Sequence, residues 1–244
     1  MENLPCLLSR PPTLAVPTAP MGALALASAR RITALHSPES LGRKLKVLCL
    51  HGYGQNGQAL REKSGSFRKP LKKSRFEMHY LNAPYGCTAE GESQDEADAD
   101  PERRAWWRGS ASYYAGWEES LEYLELAWKR EEFDGVLGFS QGAAAAAMLC
   151  ASLKQHTPRF AIFVSGFVPR DETAAAELLK GVNVPSLHVI GRADGIVVPE
   201  RSWALTEHFE QSCVIEHDGG HMLPSAPVVR EKLSAFLEPF KQEV

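Results

Sequence analysis

Short apolar runs recur along the chain from about residue 43 onward. The first run, Leu45–Leu50, stops at a glycine-containing loop, and the second, Phe76–Leu81, stops at residues 82–84, which include a proline. Apolar runs of this length, bounded by turn signals, are typical of strands buried on both faces of a parallel sheet. The later runs of the same form are residues 133–139, 160–165, 187–190 and 214–216. Together the runs predict one central, mostly parallel sheet.

Helical periodicity fills the stretches between these runs. Trp117, Leu121, Leu124 and Trp128 recur at three- and four-residue spacing and predict an amphipathic helix. Further helices are predicted at residues 59–71, where Gly65 kinks or ends the helix, from residue 141 through an alanine-rich segment, at 199–211 and at 228–240. Strands that alternate with helices predict an α/β fold with helices on both faces of the sheet.

Residues 1–42 differ in composition from the rest of the chain. They are rich in proline, alanine and serine, and residues 3–38 contain arginine but no acidic side chain. Such a composition is typical of an organelle transit peptide. The alternatives are an inert tail or a translation start at Met21. We therefore predict an N-terminal extension at residues 1–42 and a single domain at residues 43–244.

Composition and charge limit the partners. The chain has 27 basic and 30 acidic side chains, for a formal net charge of −3, which argues against a nucleic-acid partner. Its five cysteines are scattered without a Cys-x-x-Cys pair, which favours a reducing compartment over a disulfide framework. No apolar run is long enough to span a membrane. These features predict a cytoplasmic protein, unless residues 1–40 direct it to an organelle, and they specify no oligomeric state.

Residues 85–117 lack the periodicity of a helix or a strand. The acidic side chains at residues 90–102 are typical of a solvated loop. Trp106 and Trp107 would cost free energy if fully exposed, so they are expected to pack against apolar groups. Because loops on such scaffolds carry specificity, we predict that both tryptophans, together with Met222, line a substrate pocket. The alternative for the tryptophans is a core that anchors the loop.

The sequence Gly-Phe-Ser-Gln-Gly around Ser140 lies between a predicted strand and the alanine-rich helix. This Gly-x-Ser-x-Gly pattern is typical of the nucleophile elbow, a tight turn that exposes a serine hydroxyl. The turn leaves no room for side chains two residues away, and Gly138 and Gly142 fill those positions. The helix beginning at Gln141 directs its N-terminal N–H groups towards the serine and the group it attacks. We therefore predict that Ser140 is a nucleophile.

A serine nucleophile needs a base and a carboxylate that orients the base. In elbow hydrolases these follow in the order serine, acid, histidine, each after a later strand. Asp194 follows the run at residues 187–190, and His221 follows the last run within a glycine-flanked loop. Asp218 is a second candidate for the carboxylate. We predict a triad of Ser140, Asp194 and His221, with Asp218 ranked below Asp194.

An oxyanion hole requires two backbone N–H groups near the nucleophile. One is expected from Gln141, the residue after the serine. The other is expected from Tyr53, in the His-Gly-Tyr-Gly loop that follows the first strand. Gly52 and Gly54 would let this backbone approach a substrate closely.

Five separated motifs lie at residues 51–56, 133–143, 164–167, 185–191 and 219–221. Together they resemble one known family, the FSH family of serine hydrolases, and within it the ovarian tumour-suppressor-candidate esterases. The resemblance covers about residues 45–240. It implies an α/β-hydrolase fold without cofactor or metal and a triad at the positions named above. It also implies ester substrates with longer acyl or alkyl chains.

The resulting hypothesis is a serine carboxylesterase that hydrolyses a small-molecule ester through an acyl-enzyme. An acyl-thioesterase or a lactonase with the same triad is the first alternative. A binding protein on a hydrolase scaffold that has lost turnover is the second alternative.

Overall fold

The computed structural model describes residues 43–72, 75–87, 102–109 and 113–242. A six-stranded sheet with strand order β2-β1-β5-β6-β7-β8 forms the centre, and every neighbouring pair is parallel. A separate antiparallel pair joins β3 to β4. The strands are β1 (Leu45–Leu50), β2 (Phe76–Leu81), β3 (Tyr85–Gly86), β4 (Arg104–Ala105), β5 (Gly135–Phe139), β6 (Phe160–Val164), β7 (Ser186–Gly191) and β8 (Ser212–His217).

Helices cover both faces of this sheet, as predicted. They are α1 (Gly57–Lys63), α2 (Lys69–Lys72), α3 (Trp117–Glu131), α4 (Gln141–Ser152), α5 (Glu172–Ala175), α6 (Pro199–Thr206) and α7 (Pro227–Gln242), with a 3₁₀ turn at Leu178–Lys180. Alternate residues of β1 point into two separate hydrophobic clusters: Leu48 packs with α3 and α4, whereas Val47 packs with α1, α2 and α7. The predicted α/β architecture, a parallel sheet with helices on both faces, is therefore present.

The bounds of four predicted elements differ in the structure. The single helix expected at residues 59–71 is two short helices, because Ser64 caps α1 just before Gly65. The helix expected at 199–211 ends at Thr206, and residues 186–191 and 212–217 are longer strands than their apolar cores indicated. Hydrogen bonding to a parallel neighbour extends each strand beyond its apolar residues. Local periodicity does not show this added length, because it depends on the neighbouring strand.

Three predictions fall wholly or largely outside the described residues. They are the N-terminal extension at residues 1–42 with its proposed targeting role, the domain boundary after it, and most of the acidic loop at residues 90–102. None of the described helices has the length and apolarity needed to cross a membrane.

Two buried histidines make the stability of this fold depend on pH. Burial lowers the pKa of His188 to about 3 and that of His51 to about 4. The unfolded chain, with an imidazole pKa near ~6.5, binds protons that the folded chain excludes. The stabilising contribution is therefore complete above about pH 6.5 and is lost as the pH falls towards the folded-state values.

We expect the free energy of unfolding to fall by about 2 kcal/mol for each of the two histidines between pH 7 and pH 5. Urea titrations at several pH values measure this decline. His188→Leu should remove the contribution of His188, about 2 kcal/mol, and leave that of His51. A wild-type unfolding free energy that is constant over this range would contradict the prediction.

Candidate active site

Ser140 occupies the turn between β5 and α4, with φ 55° and ψ −119°. A non-glycine residue in this region is strained by about 1–3 kcal/mol, and such strain clusters at functional sites. A Cβ added at Gly138 would overlap the carbonyl oxygen of Gly142, and one at Gly142 would overlap the carbonyl oxygens of Leu50 and His51. The two glycines therefore let the elbow pack directly against the end of β1.

The structure joins the three predicted triad side chains in one hydrogen-bonded series. The Ser140 Oγ lies 2.9 Å from the His221 Nε2, and the His221 Nδ1 lies 2.8 Å from the Asp194 Oδ2. All three residues follow the carboxyl ends of strands, which meet at one edge of a parallel sheet. This geometry allows the imidazole to accept the serine proton while the carboxylate stabilises the resulting cation.

Hydrogen bonds hold the Asp194 carboxylate in its charged form. Its Oδ1 accepts from the backbone N–H groups of Ile196 and Val197, at 3.0 and 2.9 Å. Its Oδ2 accepts from the Ser165 hydroxyl at 2.8 Å in addition to the imidazole. Burial by itself raises the pKa of this carboxyl, but the bonds from His221, Val197, Ser165 and Ile196 outweigh burial and leave the pKa below its usual value.

Ser165 is a site residue to which sequence reasoning assigned no role. It lies directly after β6, is almost fully buried and has φ 51°. Its motif, Val-Ser-Gly-Phe, contributed only to the family resemblance. A serine at the end of a strand beside the predicted nucleophile strand was the available signal.

Ser165→Ala is expected to lower kcat/KM by about 10- to 100-fold, because Asp194 loses a donor and orients the imidazole less firmly. The matched control is Ser202→Ala, which removes another buried hydroxyl that donates instead to the Gly166 carbonyl, at 2.7 Å. Both variants should lose about 1–2 kcal/mol of stability, measured by urea unfolding. Equal losses of kcat/KM in the two variants would show that Ser165 acts only on folding.

The loop that carries His221 is shaped by close backbone packing. The Gly219 N–H donates to the His217 Nδ1 at 3.1 Å, and a side chain on Gly191 would collide with the carbonyl oxygens of Gly219 and Gly220. Asp218, the rival carboxylate, points away from this site. Its side chain is 92% exposed and pairs with Arg192 at 2.9 Å.

The loop after β1 packs against the nucleophile. A Cβ added at Gly52 would lie 3.3 Å from the Ser140 Cβ. The His51 Nε2 accepts from the Ala83 N–H at 3.0 Å, so the His51 Nδ1 carries the proton and donates to the Gly52 carbonyl at 2.8 Å. Because the peptide is planar and trans, the Tyr53 N–H points opposite to that carbonyl.

Gln141 connects the elbow to the segment at residues 102–109. Its Oε1 accepts from the Trp106 N–H at 3.0 Å, and its Nε2 donates to the Trp107 carbonyl at 2.9 Å. As the first residue of α4, Gln141 has an N–H without an intrahelical partner. The Trp106 Nε1 donates to the His51 carbonyl at 2.8 Å, so the same segment also holds the loop after β1.

The predicted pocket residues lie in two different environments. Trp106 is 0% exposed and Trp107 is 5% exposed, and Trp107 stacks on Tyr114 with ring centroids 4.5 Å apart. This burial favours the alternative, in which both indoles belong to a core that anchors the loop. That they also line a substrate pocket stays a prediction. Met222, beside His221, has an exposed side chain.

The described part of the chain contains no group of three or more histidine, cysteine, aspartate or glutamate side chains placed to bind a metal ion. The groups at the elbow are those of serine-based acyl transfer: a hydroxyl, an imidazole, a carboxylate and an N-terminal helix turn.

Comparison with known proteins identifies the family. The family model described as Serine hydrolase (FSH1) matches residues 40–233. The chain belongs to the FSH1 serine hydrolase family. Among its relatives, "Esterase OVCA2" of Danio rerio is 37% identical over 227 residues, covering 81% of this chain and 98% of that protein. "Esterase CG5412" of Drosophila melanogaster is 34% identical over 217 residues, covering 82% of this chain and 76% of that protein.

Solved structures share the fold of this FSH1-family hydrolase. SOBER1 of Arabidopsis thaliana matches with a TM-score of 0.59 and 18% identity, covering 80% of this chain and 98% of that one. Acyl-protein thioesterase 2 of Zea mays matches with a TM-score of 0.56 and 19% identity, covering 81% and 94%. The protein is thus a serine hydrolase with the α/β-hydrolase fold, related in sequence to esterases.

Proposed function

We propose that this protein is a carboxylesterase that hydrolyses small-molecule carboxylic esters through an acyl-enzyme on Ser140. The observation that carries the proposal is the unbroken series of hydrogen bonds from the Ser140 hydroxyl through His221 to Asp194. The esterase names of its relatives support the same activity. We further propose that residues 43–244 form the hydrolase domain.

In the proposed first half-reaction, His221 takes the proton of the Ser140 hydroxyl as its oxygen attacks the ester carbonyl carbon. The backbone N–H groups of Gln141 and Tyr53 stabilise the oxyanion that forms. His221 then protonates the departing alcohol, which leaves an acyl group on Ser140. In the second half-reaction a water molecule attacks that acyl group with the same base, and the carboxylic acid departs.

Exposed apolar side chains support a substrate with a longer acyl or alkyl chain. Tyr53, Ile196 and Met222 are all exposed, and each lies in a loop that contributes to the site. Burying such side chains against a hydrocarbon chain is favourable by about 25 cal/mol per Å² of apolar surface. Extending the chain of the substrate should therefore lower KM.

A panel of matched substrates tests the proposal. Oxygen esters and thioesters with acyl chains of two to twelve carbons, together with a lactone, are compared by kcat/KM. The proposal expects oxygen esters with longer chains to react fastest. A consistent preference for thioesters or lactones would replace the carboxylesterase with the corresponding hydrolase. Failure of a fluorophosphonate probe to label Ser140, together with no turnover, would leave only a binding protein.

A further inference from the structure

Neither the Arg201 guanidinium nor the Arg170 guanidinium has an anionic partner among the described residues, in contrast to Arg192. Arg192 pairs with Glu216 and Asp218. The guanidinium of Arg201 instead lies over the ring of Phe167, with its Cζ 4.4 Å from the ring centroid.

The environment of Arg201 is unfavourable for a lone cation. Burial lowers the pKa of its guanidinium, and the charge of Arg170 lowers it further. The Asp171 carboxylate follows Arg170 in the sequence and accepts from the N–H groups of Tyr114 and Ala174, but it forms no ion pair with either guanidinium. Two cations without an anion between them cost free energy that a bound anion would offset.

Arg201 packs against the segment that follows β6, and the end of β6 also supports the nucleophile. The Ser140 N–H donates to the Val164 carbonyl at 2.9 Å, and Phe167 follows Val164 by three residues. On the other side, α6 starts five residues after Asp194, and its Ser202 hydroxyl bonds to the Gly166 carbonyl at 2.7 Å. The chain therefore holds Arg201 beside the strand end that supports the elbow.

The position of Arg170 is also determined by the fold. Its backbone N–H donates to the Tyr114 hydroxyl at 3.0 Å, and Tyr114 stacks on Trp107. Its side chain is exposed to solvent. Arg170 can thus reach a ligand from outside while Arg201 reaches it from the half-buried side.

We propose that Arg201 and Arg170 form a subsite for an anionic group, a carboxylate or a phosphate, on the substrate of this esterase. The inference rests on the proposed function, since it concerns which esters the same serine hydrolyses. Guanidinium groups bind carboxylate and phosphate through paired, charge-assisted hydrogen bonds, which gives orientation as well as affinity.

Pairs of substrates with and without an anionic group test the subsite. Mono-4-nitrophenyl adipate and its methyl ester carry the difference on the acyl side. The hexanoate esters of 4-hydroxybenzoic acid and of methyl 4-hydroxybenzoate carry it on the alcohol side. Hexanoyl coenzyme A and hexanoyl N-acetylcysteamine compare a phosphate-bearing leaving group with a neutral one.

The variants are Arg201→Met, Arg201→Lys and Arg170→Met, with Arg130→Met as control, because Arg130 pairs with Glu131 on α3.

For at least one pair we expect Arg201→Met to raise KM for the charged member about 10-fold while changing that of the neutral member less than twofold. Arg170→Met should act in the same direction, Arg201→Lys should retain part of the affinity, and Arg130→Met should match the wild type. Equal effects on charged and neutral members of all three pairs would overturn the subsite. Hydrolysis of the neutral esters would still report the proposed esterase function, so the two ideas can fail separately.

Discussion

Replacing Ser140 with alanine is expected to lower kcat for ester hydrolysis by about 10⁵- to 10⁶-fold. The proposed reaction has no acyl acceptor without the Ser140 hydroxyl, and the His221 Nε2 loses its partner at 2.9 Å. Only the oxyanion donors and substrate binding would then accelerate hydrolysis. Initial rates with a long-chain 4-nitrophenyl ester, normalised to protein concentration, measure the loss.

A matched control separates this effect from any change in folding. Ser152→Ala removes a hydroxyl at the other end of α4, where it donates to the Leu149 carbonyl at 3.0 Å. It should keep the wild-type rate, and both variants should unfold within about 1 kcal/mol of the wild type. Retention of substantial activity by Ser140→Ala in protein free of contaminating esterase would refute the proposed mechanism.

Asp194→Asn is expected to lower kcat by about 10⁴-fold. The N–H groups of Ile196 and Val197 would hold the amide oxygen in the position of Oδ1. The amide NH₂ would then face the His221 Nδ1 at the former Oδ2 position. The imidazole would adopt the tautomer with its proton on Nε2, which cannot accept the proton of Ser140.

Asp218→Asn is the control for this variant. It changes the rival carboxylate by the same single atom, on a side chain that is 92% exposed and paired with Arg192. We expect kcat within twofold of the wild type, measured with the same ester. If Asp218→Asn caused the larger loss, the orienting carboxylate would be Asp218 and the assignment of Asp194 would be wrong.

Local patterns predicted the parts of the site that depend on local geometry. Ser140 stands between glycines that only a tight strand-to-helix turn requires, and Asp194 and His221 each follow an apolar run that forms a strand. Parallel strands place their carboxyl ends at one edge of the sheet. The predicted strand ends alone therefore led to the expectation that the three side chains lie close together.

What the sequence by itself determined is therefore the fold class, the elbow and the order of the triad positions, since each depends on residues close together in the chain. Only the tertiary structure brought Asp194, and not Asp218, within hydrogen-bonding distance of His221. It also gave Ser165 its bond to the carboxylate and buried Trp106 in the core. These features arise where segments far apart in sequence meet: Ser165 lies 29 positions from Asp194, and Trp106 lies 35 from Gln141. Contacts at such separations leave no periodicity in either segment, because they depend on which strands become neighbours and how closely their loops pack.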